Sequence, residues 1–434
     1  MANAATISPI DQCSDSRGSQ LIVDQHWRNL RIIGRIYTKR EGLRITFFQS
    51  LSAAGFGATA ISFGPARMGF GLFVPEFKSA FSMSSSAVGL VSSLGFAGFF
   101  VGLLIAQFLL NRRGPKFPVL TGLAAATIGM GIVALSPSVF VLALGVFLAA
   151  SSAGFAWTPF NDAVHRKIRD VDRPTALSEI STGTSLGIAG AGALAFAMVY
   201  LGLDWRTSWA VFAGVSALTL VGNWAALNKV DKGPEVGPEQ GWSDVLHPVA
   251  MPIFGIAFVY GITSAIYISF AADYFAQEGL PGLSESSTSS FVFIFCGIFG
   301  LAGLLTNRVR SMIGLTWLIR ALLITAAAAL ALVALMPGVW LGVGVSAGLQ
   351  GINIMMTSAV LAFWSERLFP TFPSLGFTIT LLATATGSVI GPLIAGLISD
   401  KLGPEVMFYG TAVIPLFTAG ILQRRFVVER PAKA

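Results

Sequence analysis

The chain has 434 residues, 54% of them hydrophobic and only 11% charged, with a formal net charge of +7. A soluble domain carries about 25% charged residues, so this composition excludes a soluble globular protein. The basic residues stand in short segments beside long apolar runs, which excludes a nucleic-acid patch and makes the lipid bilayer the expected partner.

The polar segment 1–44 places Trp27, Leu30, Ile33 and Tyr37 at helical spacing among Arg28, Arg31, Arg35, Lys39 and Arg40. It reads either as a basic amphipathic helix on an anionic membrane face or as a flexible basic tail. Span 1 falls between Ile45 and Phe77 and contains Arg67. Residues 77–89 form an expected outer loop in which Ser84 to Ser86 cap the next helix. Span 2 runs to about Leu110 and ends in a polar turn that holds Asn111, Arg112, Arg113 and Lys116. Span 3 covers Phe117 to Leu135, where Pro137 breaks it. Span 4 ends near Asn161 and Asp162, and a charged loop follows at 165–174. Span 5 starts near Thr175 and carries Gly183, Gly187, Gly190 and Gly192, a spacing suited to close helix contact. Trp205 and Trp209 read as interfacial anchors before span 6, which ends near Leu227.

Residues 229–248 are polar and proline-containing and form an expected linker. Spans 7 to 12 follow, from about Val249 to Leu422, and the segment 424–434 is a short basic tail. The reading is an all-α polytopic membrane protein with twelve transmembrane helices, divided at 45–228 and 249–423. With the amino terminus inside, the inner segments carry 23 lysines and arginines and the outer loops only Lys78, Arg206 and Lys401. That asymmetry places both termini in the cytoplasm. A constant offset of 196 residues relates Asn111-Arg112 to Asn307-Arg308, Ser178 to Ser374, Asp204 to Asp400 and Gly214 to Gly410, which indicates a six-plus-six repeat.

The turn Gln107-Phe-Leu-Leu-Asn111-Arg112-Arg113-Gly114-Pro115-Lys116 resembles the signature turn of the major facilitator superfamily, with Asn111 in place of its acid and Gln107 in place of its first glycine. Gly303-x-x-x-Asn307-Arg308 is a second, shorter copy, and Arg173-Pro-Thr-Ala is similar to the family's basic loop after span 4. Gly387-x-x-x-Gly391-Pro392-x-x-Ala395-Gly396 resembles its bending motif, here in span 11 rather than span 5. The stretch from Arg67 to Pro75 is similar to a bacterial branch of the superfamily. The likeness covers about residues 45–423. It implies a monomeric transporter in which two six-helix halves rock around a central cavity lined by spans 1, 4, 7 and 10. The arginine that proton-linked members carry in span 4 is replaced by Ala150.

Two polar stripes face away from lipid on helical spacing. Tyr260, Thr263, Tyr267 and Tyr274 lie on span 7; Ser346, Gln350, Asn353 and Thr357 lie on span 10. The offset maps Thr263 onto Arg67 and Asn353 onto Trp157, so Arg67, Trp157, Tyr260, Thr263, Tyr267, Ser346, Gln350 and Asn353 form the expected substrate site. An intramembrane arginine is costly unless it meets an anion, a carboxylate or water. Arg67 therefore reads as a docking charge for a carboxylate or phosphate, or as a structural residue paired with Asp273 or backbone carbonyls. Arg112 or Arg113 is expected to latch Asp162, with Glu179 and Glu366 as alternative partners; Asn307, Arg308, Gly391 and Pro392 complete the gating set. Asp273 and Glu179 are the candidate groups for a coupling proton.

The expected function is transmembrane transport of a small molecule, an organic anion, in a bacterial inner membrane. Uniport, exchange and proton-linked transport stay open. The alternatives are a proton-antiporting exporter of amphipathic cationic compounds and a receptor or scaffold that keeps the fold without transport. No span contains a histidine and no metal-ligand or ATP-binding pattern occurs, so neither an enzyme nor a cofactor is expected.

Overall fold

The computed structural model describes residues 47–169, 171–228, 230, 248–370 and 373–429. The amphipathic segment 27–40, most of the linker and the last five residues lie outside the described residues. Phe47 to the carboxy terminus belongs to one compact unit, and every regular element described in it is helical.

The expected first span is three short helices: α1 (Phe47–Phe63), α2 (Pro65–Leu72) and α3 (Val74–Phe81). Pro65 sits at the start of α2 and Pro75 at the start of α3, so each break falls where the ring removes a backbone donor. The last segment reaches Phe81, and the outer loop is therefore shorter than the sequence suggests.

Among the described residues, eleven further stretches are long and apolar enough to cross a membrane. In chain order the helices are α4 (Ser85–Arg113), α5 (Lys116–Ala134), α6 (Val139–Ser151), α7 (Trp157–Lys167), α8 (Arg173–Tyr200) and α9 (Trp205–Leu227). After the linker come α10 (Met251–Glu278), α11 (Glu285–Gly300), α12 (Thr306–Ile313), α13 (Leu315–Leu335), α14 (Trp340–Leu368), α15 (Pro373–Leu402) and α16 (Pro404–Ile421). Short 3-10 turns join α6 to α7 and α11 to α12, so each of those pairs is one crossing.

Ser84, Ser138, Asp204 and Ser284 each accept a hydrogen bond from a first-turn backbone N–H of the helix that follows. The opposite end uses a different device. Asn111, Arg112 and Arg113 are in the last turn of α4, and the chain reverses at Gly114, whose φ of 72° suits a residue without a Cβ. The offset would put the matching reversal at Arg310. It occurs instead at Gly314 (φ 80°), one helical turn later, because α12 runs on through Arg310 to Ile313.

Helix pairing repeats along the chain. The contacts α1–α8, α4–α6, α5–α6 and α5–α9 before the linker recur as α10–α15, α11–α14, α13–α14 and α13–α16 after it. The most extensive contacts that join the two portions are α4–α15 and α8–α11. At α10–α15 a Cβ on Gly261 would collide with the backbone carbonyl of Thr384, so glycine allows the close approach. Large apolar side chains face outward, among them Phe140, Leu218, Val413 and Phe417. In water this belt would be a liability; in a bilayer it is the solvated face. The protein is an integral, multi-pass membrane protein.

The interfacial role expected of Trp205 and Trp209 is not what the structure shows. Both are buried, and Trp209 packs among Phe73, Phe77 and Phe212, with ring centroids 5.9 to 6.2 Å away. Trp205 meets Phe77 edge to face at 5.0 Å. The broken first span delivers these phenylalanines to α9.

Candidate functional site

A cavity of about 280 Å³ lies between the two portions of the chain. Its walls come from α1, α2, α4, α7, α8, α10, α11, α14, α15 and the 3-10 turn at 301–305. Most lining residues lie within three turns of Arg173, Asn307, Leu368 or Pro373, so the cavity occupies the half of the bundle nearer that end.

Arg67 forms the far wall. Its guanidinium carbon is 4.1 Å from the ring centroid of Phe99, 5.5 Å from Phe63 and 5.6 Å from Phe96. The break before Pro65 places it, because α2 starts a new helix there. Three aromatic faces hold the cation by its quadrupole attraction and leave its hydrogen-bonding edge uncommitted. The buried Nε has no hydrogen-bond partner, and no carboxylate among the described residues pairs with the side chain. A donor left so costs about 1–3 kcal/mol, more for a charged group.

On its other side Arg67 borders a void of about 10 Å³, beside Gly71, Ser92, Ile268 and Ser269. That volume suits one water molecule. Beyond it the bundle is shut: a Cβ on Gly71 would run into the Ile268 carbonyl, and one on Gly89 into that of Pro392. Lys78 Nζ pairs with Asp273 Oδ2 at 3.0 Å across the same end. Asp400 accepts from the backbone N–H groups of Ser85 and Ser86, each at 2.9 Å, and from the Ser86 hydroxyl.

Three of the eight expected substrate residues line the cavity: Arg67, Trp157 and Tyr260. The Tyr260 hydroxyl lies 3.2 Å from Ser358 Oγ and donates to the Ile354 carbonyl at 3.3 Å. Five do not line it. Thr263 donates to the Val259 and Tyr260 carbonyls of its own helix. Tyr267 is bonded to Ser346 Oγ at 2.9 Å, and Ser346 donates to the Ala329 carbonyl at 2.7 Å. Gln350 and Asn353 are buried, each with an unpartnered amide nitrogen, and the Asn353 oxygen accepts from Thr357. Asn353, Thr357 and Thr263 border a separate small void between α10, α13 and α14. The stripe on span 10 thus turns toward its neighbours after the linker, not toward the central cavity.

The gating expectations also change. Asp162 pairs with Arg166 at 2.5 Å, one turn along its own helix, while Arg112 and Arg113 lie over Phe108 and Phe117. Asn307 accepts from Arg310 at 3.0 Å, and Arg308 is exposed. Gly391 abuts Ile262 of α10, and the Pro392 carbonyl abuts Gly89 of α4, so this pair sits where α15 wedges between them. Asp273 is held by Lys78 and by Gln277 at 2.7 Å, not by Arg67; Glu179 is exposed, and neither lines the cavity.

Sequence reasoning missed two features. Gln107 accepts from Thr378 Oγ1 at 3.0 Å and donates to Asn111 at 3.2 Å, which joins α4 to α15 at the Arg112 end. Ser178, Ser181, Thr182 and Ser185 line the cavity from α8. Their i, i+3, i+4, i+7 spacing was the available signal.

The family model of the Major Facilitator Superfamily matches residues 46–372. "Transcription regulatory protein OpdE" of Pseudomonas aeruginosa is 26% identical over 369 residues, covering 81% of this chain and 89% of that protein. "Monocarboxylate transporter 13" of Rattus norvegicus is 28% identical over 169 residues, 38% of each chain. Among solved structures, a POT family transporter in complex with 5-aminolevulinic acid superposes with a TM-score of 0.70 at 12% identity, covering 88% of this chain and 96% of that one. A bacterial homologue of the human lysosomal transporter Spinster, in an inward-facing and occupied conformation, gives 0.66 at 17% identity, covering 91% and 100%. The nucleoside transporter NupG gives 0.66 at 13% identity, covering 88% and 100%. The chain belongs to the Major Facilitator Superfamily and is a membrane transporter of a small molecule.

Proposed function

We propose that this protein carries a small organic anion by alternating access, with Arg67 as the docking charge. The reading includes twelve crossings, the segmented α1–α3 stretch being the first, in two six-helix repeats at 45–228 and 249–423. Both termini are cytoplasmic, the membrane is a bacterial inner membrane, and the cavity is open toward the cytoplasm. The pairing pattern and the lysine and arginine asymmetry support that topology.

The observation that carries the anion reading is the buried, unpartnered Nε of Arg67 on the wall of a cavity with no carboxylate in its lining. A cationic drug would meet an uncompensated like charge there, which argues against the exporter alternative. A guanidinium offers a carboxylate two parallel N–H donors, a geometry an ammonium lacks. The name of the rat relative points to the same ligand class.

The test is ligand binding to the purified protein in nanodiscs, with a panel of carboxylates, phosphorylated compounds and cations. Arg67→Ala should weaken carboxylate binding by about 100-fold, the worth of a charge-assisted pair of roughly 3 kcal/mol, and Arg67→Lys should restore part of it. Unchanged anion affinity in Arg67→Ala, or a preference for cations, would overturn the reading. The relative named a transcription regulatory protein favours a second reading, in which the same cavity senses its ligand without carrying it. Flux into proteoliposomes that contain only this protein separates the two.

A further inference from the structure

We propose that the substrate is a monocarboxylate with hydroxyl or amide hydrogens along one edge and an apolar body along the other. The proposal rests on the anion reading above and deepens it.

Charge count limits the ligand to one anionic group. Arg67 is the one charged residue that lines the cavity among the described residues. A second carboxylate would enter a largely apolar space with no cation to meet it, and an unpaired buried charge is costly.

The wall from α8 sets the polar edge. Ser178, Ser181, Thr182 and Ser185 fall on one helical face along the cavity. Ser181 Oγ and Thr182 Oγ1 both donate to the Ser178 carbonyl, at 2.9 and 2.8 Å. Their hydrogens are therefore committed to the backbone, and what these two hydroxyls offer the cavity is lone pairs. A ligand that matches them must bring donors. A hydroxyl or amide N–H does so; an ether or a bare hydrocarbon does not.

Ser185 gives the second, independent sign of a ligand. It is 1% exposed, lines the cavity, and its Oγ has no partner. Glycine at position 300 leaves this hydroxyl its room: a Cβ there would come within 2.9 Å of that oxygen. Ser52, Ser92, Ser93, Ser152, Thr158 and Ser365 are also buried without a hydroxyl partner, but among these Ser185 is the one that lines the cavity, where a donor or acceptor on the substrate would satisfy it.

The remaining wall is apolar. Leu301, Leu304, Ile354, Met355, Ala359 and Ala362 come from the 3-10 turn and from α14. They suit an aliphatic or aromatic body rather than a fully hydroxylated sugar.

The experiment uses four compounds on one skeleton: phenylpropanoate, phenyllactate, hydroxyphenylpropanoate and the dianion benzylmalonate. Binding to the full-length protein in nanodiscs is measured for wild type, Arg67→Ala, Ser181→Ala/Ser185→Ala and Gly300→Ala. In the wild type at least one hydroxylated acid should bind about tenfold more tightly than phenylpropanoate, the worth of one well-made hydrogen bond. Benzylmalonate should bind at least tenfold more weakly than phenylpropanoate. In the double serine variant the hydroxyl gain, taken as the ratio of the two affinities within that variant, should vanish. Gly300→Ala should reduce the gain in the same way by crowding Ser185, which leaves a readout if the double variant folds poorly. Equal affinity for the plain and hydroxylated acids, a gain that survives in both variants, or tight binding of the dianion would overturn the proposal while leaving Arg67 as an anion site. Carboxylate binding that ignores Arg67→Ala would overturn the anion reading and this proposal together.

Discussion

The two ends of the bundle hold the chain together differently. At the Asp400 end, charged side chains tie the portion before the linker to the portion after it. Lys78 reaches Asp273, and Asp400 caps the amino terminus of α4 through Ser85 and Ser86. At the Arg112 end, several charged contacts stay inside one portion. Asp162 meets Arg166, Arg173 bonds the His165 and Ile168 carbonyls, and Glu429 bridges Arg367 and Arg310. A neutral bond between Thr378 and Gln107 crosses there. The cavity lies at the Arg112 end. Under the proposed alternating access, opening the Asp400 end must break the ionic contacts made there.

The largest effect should follow from Lys78→Ala. Its loss leaves the Asp273 carboxylate, only 10% exposed, with Gln277 alone. The pair is partly exposed, so its worth is below that of a fully buried bridge, about 2 kcal/mol. A change of that size moves a two-state equilibrium roughly 30-fold. The readout is labelling of a Ser92→Cys probe by an impermeant thiol reagent, in a background with Cys13 and Cys296 replaced by serine. Ser92 borders the void beyond Arg67 and is buried while this end stays shut. Labelling should rise sharply in Lys78→Ala and fall back when the charges are exchanged as Lys78→Asp/Asp273→Lys. A flat response would mean that packing, and not the ion pair, closes this end.

Asp400→Ala should act in the same direction and less strongly. Its carboxylate takes two backbone N–H bonds and one hydroxyl at a helix amino terminus, where the helix dipole also favours a negative charge. The group is exposed, however, and water replaces part of what is lost. A cost of about 1 kcal/mol, or roughly fivefold in Ser92→Cys labelling, is expected. Asp400→Asn should recover little, since Ser85 and Ser86 donate to different oxygens of the carboxylate and an amide would set its NH2 against one of them.

Much of this was written in the sequence. Apolar runs of span length, the Ser84 cap and the cost of an intramembrane arginine all follow from local rules, and Arg67 stands on the cavity wall as those rules suggest. The stripe on span 10 failed for a physical reason. Polar periodicity says that a face avoids lipid; it does not say whether that face meets a cavity or another helix. Ser346 found the Ala329 carbonyl, and Tyr267 found Ser346. The same rule applied to α8 would have found Ser178, Ser181, Thr182 and Ser185. Their glycine neighbours drew attention instead, and these do make a contact: Gly183 and Gly187 abut Phe56 and Ala60 of α1. The partners of Asp162, Gln107 and Asp400 were not legible, because ion pairs and cross-helix bonds depend on rotation and offset between helices, which periodicity leaves free.

The smallest effect, and the sharpest test of the asymmetry, belongs to Gln107→Ala. The Gln107–Thr378 bond is a neutral contact between one exchangeable amide and one hydroxyl, worth about 0.5–1 kcal/mol. The accessible face of the cavity lies beside it, so losing the bond leaves the Asp400 end still tied by Lys78 and Asp400. Labelling of the Ser92→Cys probe should then change by no more than about threefold, and downward if at all, since a tie on the cavity side favours closing that side. Ser358, exposed to the cavity, provides the complementary probe as Ser358→Cys, which should label readily in the wild type and slightly more in Gln107→Ala. If Gln107→Ala instead raised Ser92→Cys labelling as much as Lys78→Ala does, the two ends would carry equal weight. The ionic contacts at the Asp400 end would then be a consequence of this conformation and not what selects it.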